Sequence, residues 1–256
     1  MLTPVLRELF SGDTRAASLA WPSVPLLELY GLPATAYLES RGGTVRLGRP
    51  ARVSRDGAAF TVRAGEERWQ VPEVIAAVPW HQFATLFDEG VPAELDTIAR
   101  NAAAMTSVPI VTVNLWYDRR VLEAGDLPFR GFVGRTAHWV FDRPGISRRI
   151  TSHVSVITSG ASELSARSDE SIIETITRDL REALPLAAAA AVTRATVIRE
   201  KQATFSVKPG APDRPSERTP LPGFFLAGDW LKTGLPGTIE GAVRSGNRAA
   251  FLVSRQ

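Results

Sequence analysis

Residues 107–118, SVPIVTVNLWYD, alternate apolar and polar positions, which predicts a half-buried strand. Residues 131–144 (GFVGRTAHWVFDRP) and 148–160 (RRITSHVSVITSG) read as two more strands of one antiparallel sheet, and 192–206 (VTRATVIREKQATFS) as another. Residues 71–80, VPEVIAAVPW, form a continuous apolar run of the kind covered on both faces. Pro79 ends that run, and a helix is expected from about His81. Residues 44–63 carry short β runs with Asp56-Gly57 as a hairpin signal. Helical period replaces this pattern at 168–185: Ser168 is a cap, and Ile172, Ile176, Leu180 and Leu184 form a stripe at spacing four. A Pro-bounded helix covers residues 21–43, with Pro33 in a first turn and Gly42-Gly43 at the end, and a short amphipathic helix is expected within residues 1–20. Residues 207–223, VKPGAPDRPSERTPLPG, make a polar Pro-rich loop, long enough to suggest a function. Helices and strands in this order predict a mixed α/β (α+β) fold with an antiparallel part.

The last stretch, FFLAGDWLKTGLPGTIEGAVRSGNRAA (224–250), carries the chemistry. An apolar strand ends at Gly228-Asp229, a Gly/Pro loop follows, and Thr238 caps a terminal helix. Ile239, Ala242, Val243, Gly246, Ala249, Ala250 and Val253 fall on one face of that helix, with Gly241 and Ser245 as small neighbours. The free amides of the first turn suit an anion, and a carboxylate at a strand end accepts hydrogen bonds from hydroxyls. A flavin dinucleotide offers both groups.

Composition removes several other classes. The chain has 256 residues, no cysteine, and a net charge of +3. The missing cysteine excludes disulfides, cysteine-ligated metals and thiol nucleophiles, and it fits a cytoplasmic setting. Only Lys201, Lys208 and Lys232 of the 30 basic side chains are lysines, and the charges are scattered among 27 acids, so no nucleic-acid tract forms. No apolar run reaches the ~20 residues of a membrane span, which leaves room for peripheral membrane contact only. His81, His138 and His153 lack metal-ligand spacing, and ITSGASELS lacks a nucleophile elbow. The aromatics Trp80, Phe83, Phe87, Phe129, Phe132, Trp139 and Phe141 fit either ordinary core or an apolar tunnel. His138 and Asp142 are the acids considered for a protonation step, and neither is assigned.

The 224–250 segment resembles the C-terminal flavin motif of the amine oxidase and phytoene desaturase superfamily. Segments 25–43, 109–121, 127–143 and 226–246 resemble one branch, the squalene-associated FAD-dependent desaturases, described as hydroxysqualene dehydroxylases of hopanoid precursor synthesis. The resemblance implies FAD as cofactor and a lipophilic, squalene-type isoprenoid as substrate. It implies flavin-binding roles for Gly228, Asp229, Gly237, Thr238 and Ile239, and it places Ala51, in ESRGGTVRLGRPARV, near the adenine. A carotenoid-type desaturase, an amine oxidase, and a non-catalytic or split half of a flavoprotein are the alternatives. No G-x-G-x-x-G motif occurs in the sequence. The expectation is therefore a C-terminal portion, with three alternatives: a separate N-terminal FAD-binding polypeptide supplies the missing cradle, the reading frame is truncated, or the chain does not hold FAD alone. On this reading residues 1–50 lead in, 51–80 form a β segment of a partial Rossmann-like FAD part, 81–205 form the antiparallel substrate part, and 206–256 complete the FAD part.

Overall fold

The computed structural model describes residues 3, 6–7, 10, 12, 18, 22, 24–123, 127–143 and 152–255. Most of the helix expected in residues 1–20, and part of the 148–160 run, lie outside these residues. A π-helical turn, Leu27–Gly31, continues into α1 (Leu32–Glu39), with Pro33 in its first turn. Strands β1 (Ala51–Asp56), β2 (Ala59–Ala64), β3 (Glu67–Val71) and β4 (Val74–Ala76) precede α2 (Asp96–Ala104). Next come β5 (Ser107–Tyr117), β6 (Phe129–Gly131), β7 (Trp139–Asp142), β8 (Ser152–Ser159), α3 (Ser162–Ser165), α4 (Asp169–Ala183) and α5 (Pro185–Ala188). The chain closes with β9 (Val192–Phe205), β10 (Phe224–Leu226) and α6 (Ile239–Val253).

Two compact units form, residues 1–105 with 207–256, and residues 106–206. The first division falls after Met105 rather than after residue 80. The aromatic residues after Pro79 explain this: Phe83 packs 6.0 Å from the Trp230 ring and Phe87 packs 5.5 Å from Phe224. Trp80, Phe83 and Phe87 are buried, so in this unit they are core. Two 3₁₀ turns, Trp80–Gln82 and Ala84–Leu86, stand where a helix was expected.

In the first unit β1, β2 and β3 make an antiparallel sheet, and Asp56 pairs with Ala59 across the predicted hairpin. Gly57 takes a φ of +62°, which a glycine adopts without a Cβ penalty. Strand β4 is three residues long and pairs in parallel with β10. Ile75 is exposed, so the expected burial of both faces is not met among the described residues.

The second unit is a five-stranded antiparallel sheet, ordered β6-β7-β8-β5-β9. Helix α4 begins with Ser168 capping Ser171 N–H, and it buries Ile172, Ile176 and Leu180. These meet Val111, Val113, Leu115, Val140, Val154 and Val156 from one sheet face. The run 131–144 is not a single strand. Gly131 ends β6, Gly134 turns with a φ of +72°, and Trp139 opens β7, which pairs back onto β6.

Candidate functional site

Because β4 and β10 are parallel, their C-terminal ends open at the same edge, the usual place for a ligand in such sheets. The ladder continues one step past β10 as Ala227 N–H donates to the Ala76 carbonyl at 3.1 Å. Gly228 then adopts a φ of +143°, and a Cβ there would lie 2.9 Å from Trp230 Cδ1. This backbone turns the chain so that Asp229 follows the strand end while Trp230 folds back into the core. The Trp230 indole N–H donates to the Val78 carbonyl at 2.9 Å, which fixes the end of one parallel strand to the end of the other.

Ser245, fully buried, fastens helix α6 to this turn. Its hydroxyl accepts from Gly228 N–H at 2.8 Å. Its single proton lies within reach of two carbonyls, Gly228 at 2.9 Å and Ala242 at 2.8 Å. The buried side of α6 is Gly241, Ser245 and Ala249. Of the apolar face read from the sequence, Ala249 is buried, whereas Ile239, Val243 and Ala250 are open, with Ile239 55% exposed. Residue size explains the difference, since only small side chains let α6 approach the strand turn closely. Gly241 shows it directly: a Cβ there would sit 3.2 Å from Thr233 Oγ1.

Thr238 caps α6, its Oγ1 accepting from Gly241 N–H at 3.1 Å. Ala242 N–H is taken by the Thr238 carbonyl. The amides of Ile239 and Glu240 come before the first intrahelical bond, and no described residue accepts from them. The Asp229 carboxyl is half-buried. Burial raises its pKa, while its own amide, the Trp230 amide and the charge of Arg214 oppose the rise. A carboxylate has about four acceptor positions, so hydroxyl donors can still be met beyond those two amides. Arg214 belongs to the long Pro-rich loop and donates to the Leu235 carbonyl at 2.9 Å, and Lys232 N–H donates to the Pro215 carbonyl at 2.8 Å. That loop holds the turn after Asp229 in place. Paired amides at a helix start and a half-buried carboxylate at a strand end fit the anionic and hydroxylated parts of a flavin dinucleotide.

The structure thus gathers Gly228, Asp229, Gly237, Thr238 and Ile239 on one strand–loop–helix segment. Ala51 belongs to a different sheet. It is the first residue of β1, opposite Ala64, and exposed. Sequence reasoning noted Ser245 only as a small residue and did not single out Arg214; the spacing of Ser245 from the strand end was the available signal.

The second unit offers an apolar surface. On the sheet face opposite α4, Trp139 pairs with Ile157 and Phe141 pairs with Ser155. The Trp139 ring centroid lies 6.3 Å from that of Phe141 and 6.1 Å from that of Phe129. Phe132 packs against the α4 core instead, so it leaves the set of tunnel candidates. His138 is held by structure, its Nδ1 accepting from Ser159 N–H at 3.2 Å. Asp142 N–H donates to the Pro128 carbonyl at 2.8 Å, which ties the residue into the β6–β7 hairpin. Among the described residues no cluster of three or more histidine, aspartate or glutamate side chains is placed to hold a metal.

A family model described as flavin containing amine oxidoreductase matches residues 26–254. A hydroxysqualene dehydroxylase of Sinorhizobium fredii is 34% identical over 226 residues, covering 86% of this chain and 49% of its own. A 15-cis-phytoene desaturase of Solanum lycopersicum is 26% identical over 250 residues, covering 87% of this chain and 40% of its own. The chain therefore spans about half the length, or less, of these curated relatives. Putrescine oxidase, solved with putrescine bound, shares the fold at a TM-score of 0.63 and 20% identity, over 84% of this chain and 51% of its own. The half-buried carboxylate, the capped helix start and the family match agree, and the chain belongs to the flavin containing amine oxidoreductase family.

Proposed function

We propose that this chain contributes the ribityl-binding turn and the apolar substrate sheet of an FAD-dependent oxidoreductase that converts hydroxysqualene to squalene. The observation that carries the reading is the Gly228–Ser245 tie, which sets the Asp229 carboxyl and the open amides of α6 on one tied segment. On this reading Asp229 holds ribityl hydroxyls, Gly237, Thr238 and Ile239 meet the ring edge through their backbone, and Ala51 lies at the adenine. Bound flavin supplies hydride chemistry, and the protein contributes orientation and exclusion of water. Replacing the C–O bond with C–H consumes two electrons and two protons and releases water, so reduced flavin is the required reductant. The 34% relative supports this substrate over the carotenoid-type alternative at 26%. The test is to incubate the flavin-loaded protein with hydroxysqualene under reducing conditions. Squalene identified by mass is the expected product, and its absence from a flavin-loaded sample sinks the substrate assignment.

Two features favour help from a further polypeptide segment. Parallel sheet is ordinarily covered on both faces, and two strands fall short of an independent sheet. Here β4 and β10 form a two-stranded sheet, extended among the described residues only by a single antiparallel bridge from Arg218 to Phe225, and Ile239 and Val243 of α6 are exposed. A strand–G-x-G-x-x-G–helix polypeptide added to the chain is expected to raise flavin retention; unchanged retention counts against this reading.

Peripheral membrane contact is the second part of the proposal. Leu26, Leu27, Leu29, Leu32, Tyr37 and Leu38 are all exposed, and the segment 27–39 buries none of its residues. Among the described residues no helix is long and apolar enough to cross a membrane, so this segment lies on a surface if it meets lipid at all. Phosphatidylcholine vesicles should carry the protein upward in a flotation gradient, and Leu27→Ser with Leu32→Ser should leave it at the bottom. Equal flotation of both proteins removes the helix from that role.

A further inference from the structure

His153 lies on the aromatic face of the second unit, and one of its nitrogens has no hydrogen-bond partner among the described residues. The residue is 7% exposed and stacks on Trp116, with ring centroids 4.2 Å apart and planes 9° apart. Its Nε2 lies 3.2 Å from Asn114 Oδ1, which also accepts from the Ser155 hydroxyl at 2.6 Å. An amide oxygen only accepts, so Nε2 carries the proton and Nδ1 of the neutral ring is an acceptor. Nδ1 is buried and meets no hydrogen-bond donor among the described residues. Buried acceptors are almost always paired, so one left open within a stacked and hydrogen-bonded cluster calls for a donor from outside the chain.

The surroundings define that donor. Cross-strand pairing puts Phe141 beside Ser155, and Trp139 beside Ile157, on this same face. Hence the flank of the polar cluster is aromatic and aliphatic. Among the described residues Arg143 and Arg194 act on the imidazole as positive charges, and Asp142 opposes them. Such a field disfavours an ammonium donor and leaves a neutral hydroxyl. Resting on the isoprenoid reading above, we infer that His153 Nδ1, positioned by Asn114 and Trp116, accepts a hydrogen bond from the hydroxyl of an isoprenoid alcohol whose chain lies along Phe141 and Trp139. His153 is then a specificity residue that distinguishes the alcohol from the hydrocarbon.

Tryptophan fluorescence titrations of the full chain with hydroxysqualene and with squalene test this, since the pair differ by one hydroxyl. The alcohol should bind roughly fivefold to tenfold tighter, the value of one buried hydrogen bond. His153→Phe, which keeps a ring against Trp116, should erase that preference and leave squalene affinity unchanged. In the unaltered protein with ¹⁵N-labelled histidine, the Nδ1 resonance of His153 should move on adding hydroxysqualene and stay put with squalene. Equal affinities in the parent, or an Nδ1 resonance unmoved by the alcohol, overturn the assignment while leaving the isoprenoid reading intact. Failure of both lipids to bind overturns that reading, and this inference with it.

Discussion

Asp229→Ala weakens flavin retention by roughly tenfold to a hundredfold, the equivalent of about 1.5–3 kcal/mol for hydrogen bonds to an ionised group. The fold survives. Burial already penalises the charged form of this carboxyl, as its raised pKa shows. Removing it therefore relieves a cost in the ligand-free protein, and the unfolding midpoint at neutral pH should stay at or above that of the parent. A group whose folded pKa is raised binds more protons in the native than in the unfolded state. Its charge thus lowers stability as pH rises through that range. The combination of weaker flavin binding and undiminished stability separates a ligand-holding carboxylate from a turn residue. Loss of both together, or of neither, would assign Asp229 to the scaffold. Protein-bound flavin absorbance after desalting, set beside a thermal melt of the same sample, reads both quantities.

Trp230→Ala has the largest expected effect on stability, a loss of about 3–5 kcal/mol. The side chain is 1% exposed and packs beside Phe83, and its indole N–H holds the Val78 carbonyl at the end of the neighbouring parallel strand. Truncation leaves a cavity and an unpaired carbonyl together. Trp230→Phe retains most of the volume and loses the hydrogen bond, so its cost should be nearer 1–2 kcal/mol. Urea unfolding followed by far-ultraviolet circular dichroism measures both. Equal losses in the two variants would mean that the hydrogen bond, and not the packing, fixes the strand ends. Since Gly228 wraps onto the Trp230 ring, the Ala variant should also bind flavin poorly even below its unfolding midpoint.

Where a single periodicity governs burial, the sequence was easy to read. The alternation along β5 sends Val111, Val113 and Leu115 to the α4 side, and the spacing-four stripe of α4 meets them there. The Asp56-Gly57 hairpin and the Ser168 and Thr238 caps were equally legible, because each follows from chemistry local to a few residues. Periodicity misled on α6. Hydrophobicity grouped Ile239, Val243 and Ala250 with Ala249, yet closeness of approach buried Ala249 together with its small neighbours Gly241 and Ser245, a choice made by side-chain volume against a neighbouring backbone. The β6–β7 segment looked continuous because apolar residues stand on both sides of its turn at Gly134, Phe132-Val133 before it and Trp139-Val140-Phe141 after it. Strand β3, polar at three of its five positions, offers only Trp69 and Val71 as apolar residues, too short a pattern to read, and is defined by its pairing with β2. His153 read as an ordinary strand histidine. Its cluster depends on Asn114, 39 residues away, and becomes visible only through the β5–β8 register.

At the site itself, the strand-end carboxylate and the helix cap were readable from order alone. The Ser245 tie and the hold of Arg214 on the Leu235 carbonyl were not, because both join residues whose proximity is set by the turn at Gly228. What the turn does for the ligand is most directly measured by amide NMR of the ¹⁵N-labelled chain titrated with FAD. The account predicts that the amides of Gly228, Asp229, Thr238, Ile239 and Glu240 shift together along one binding curve. Shifts confined to other segments, or a strand end and a helix start that respond with different affinities, would contradict it.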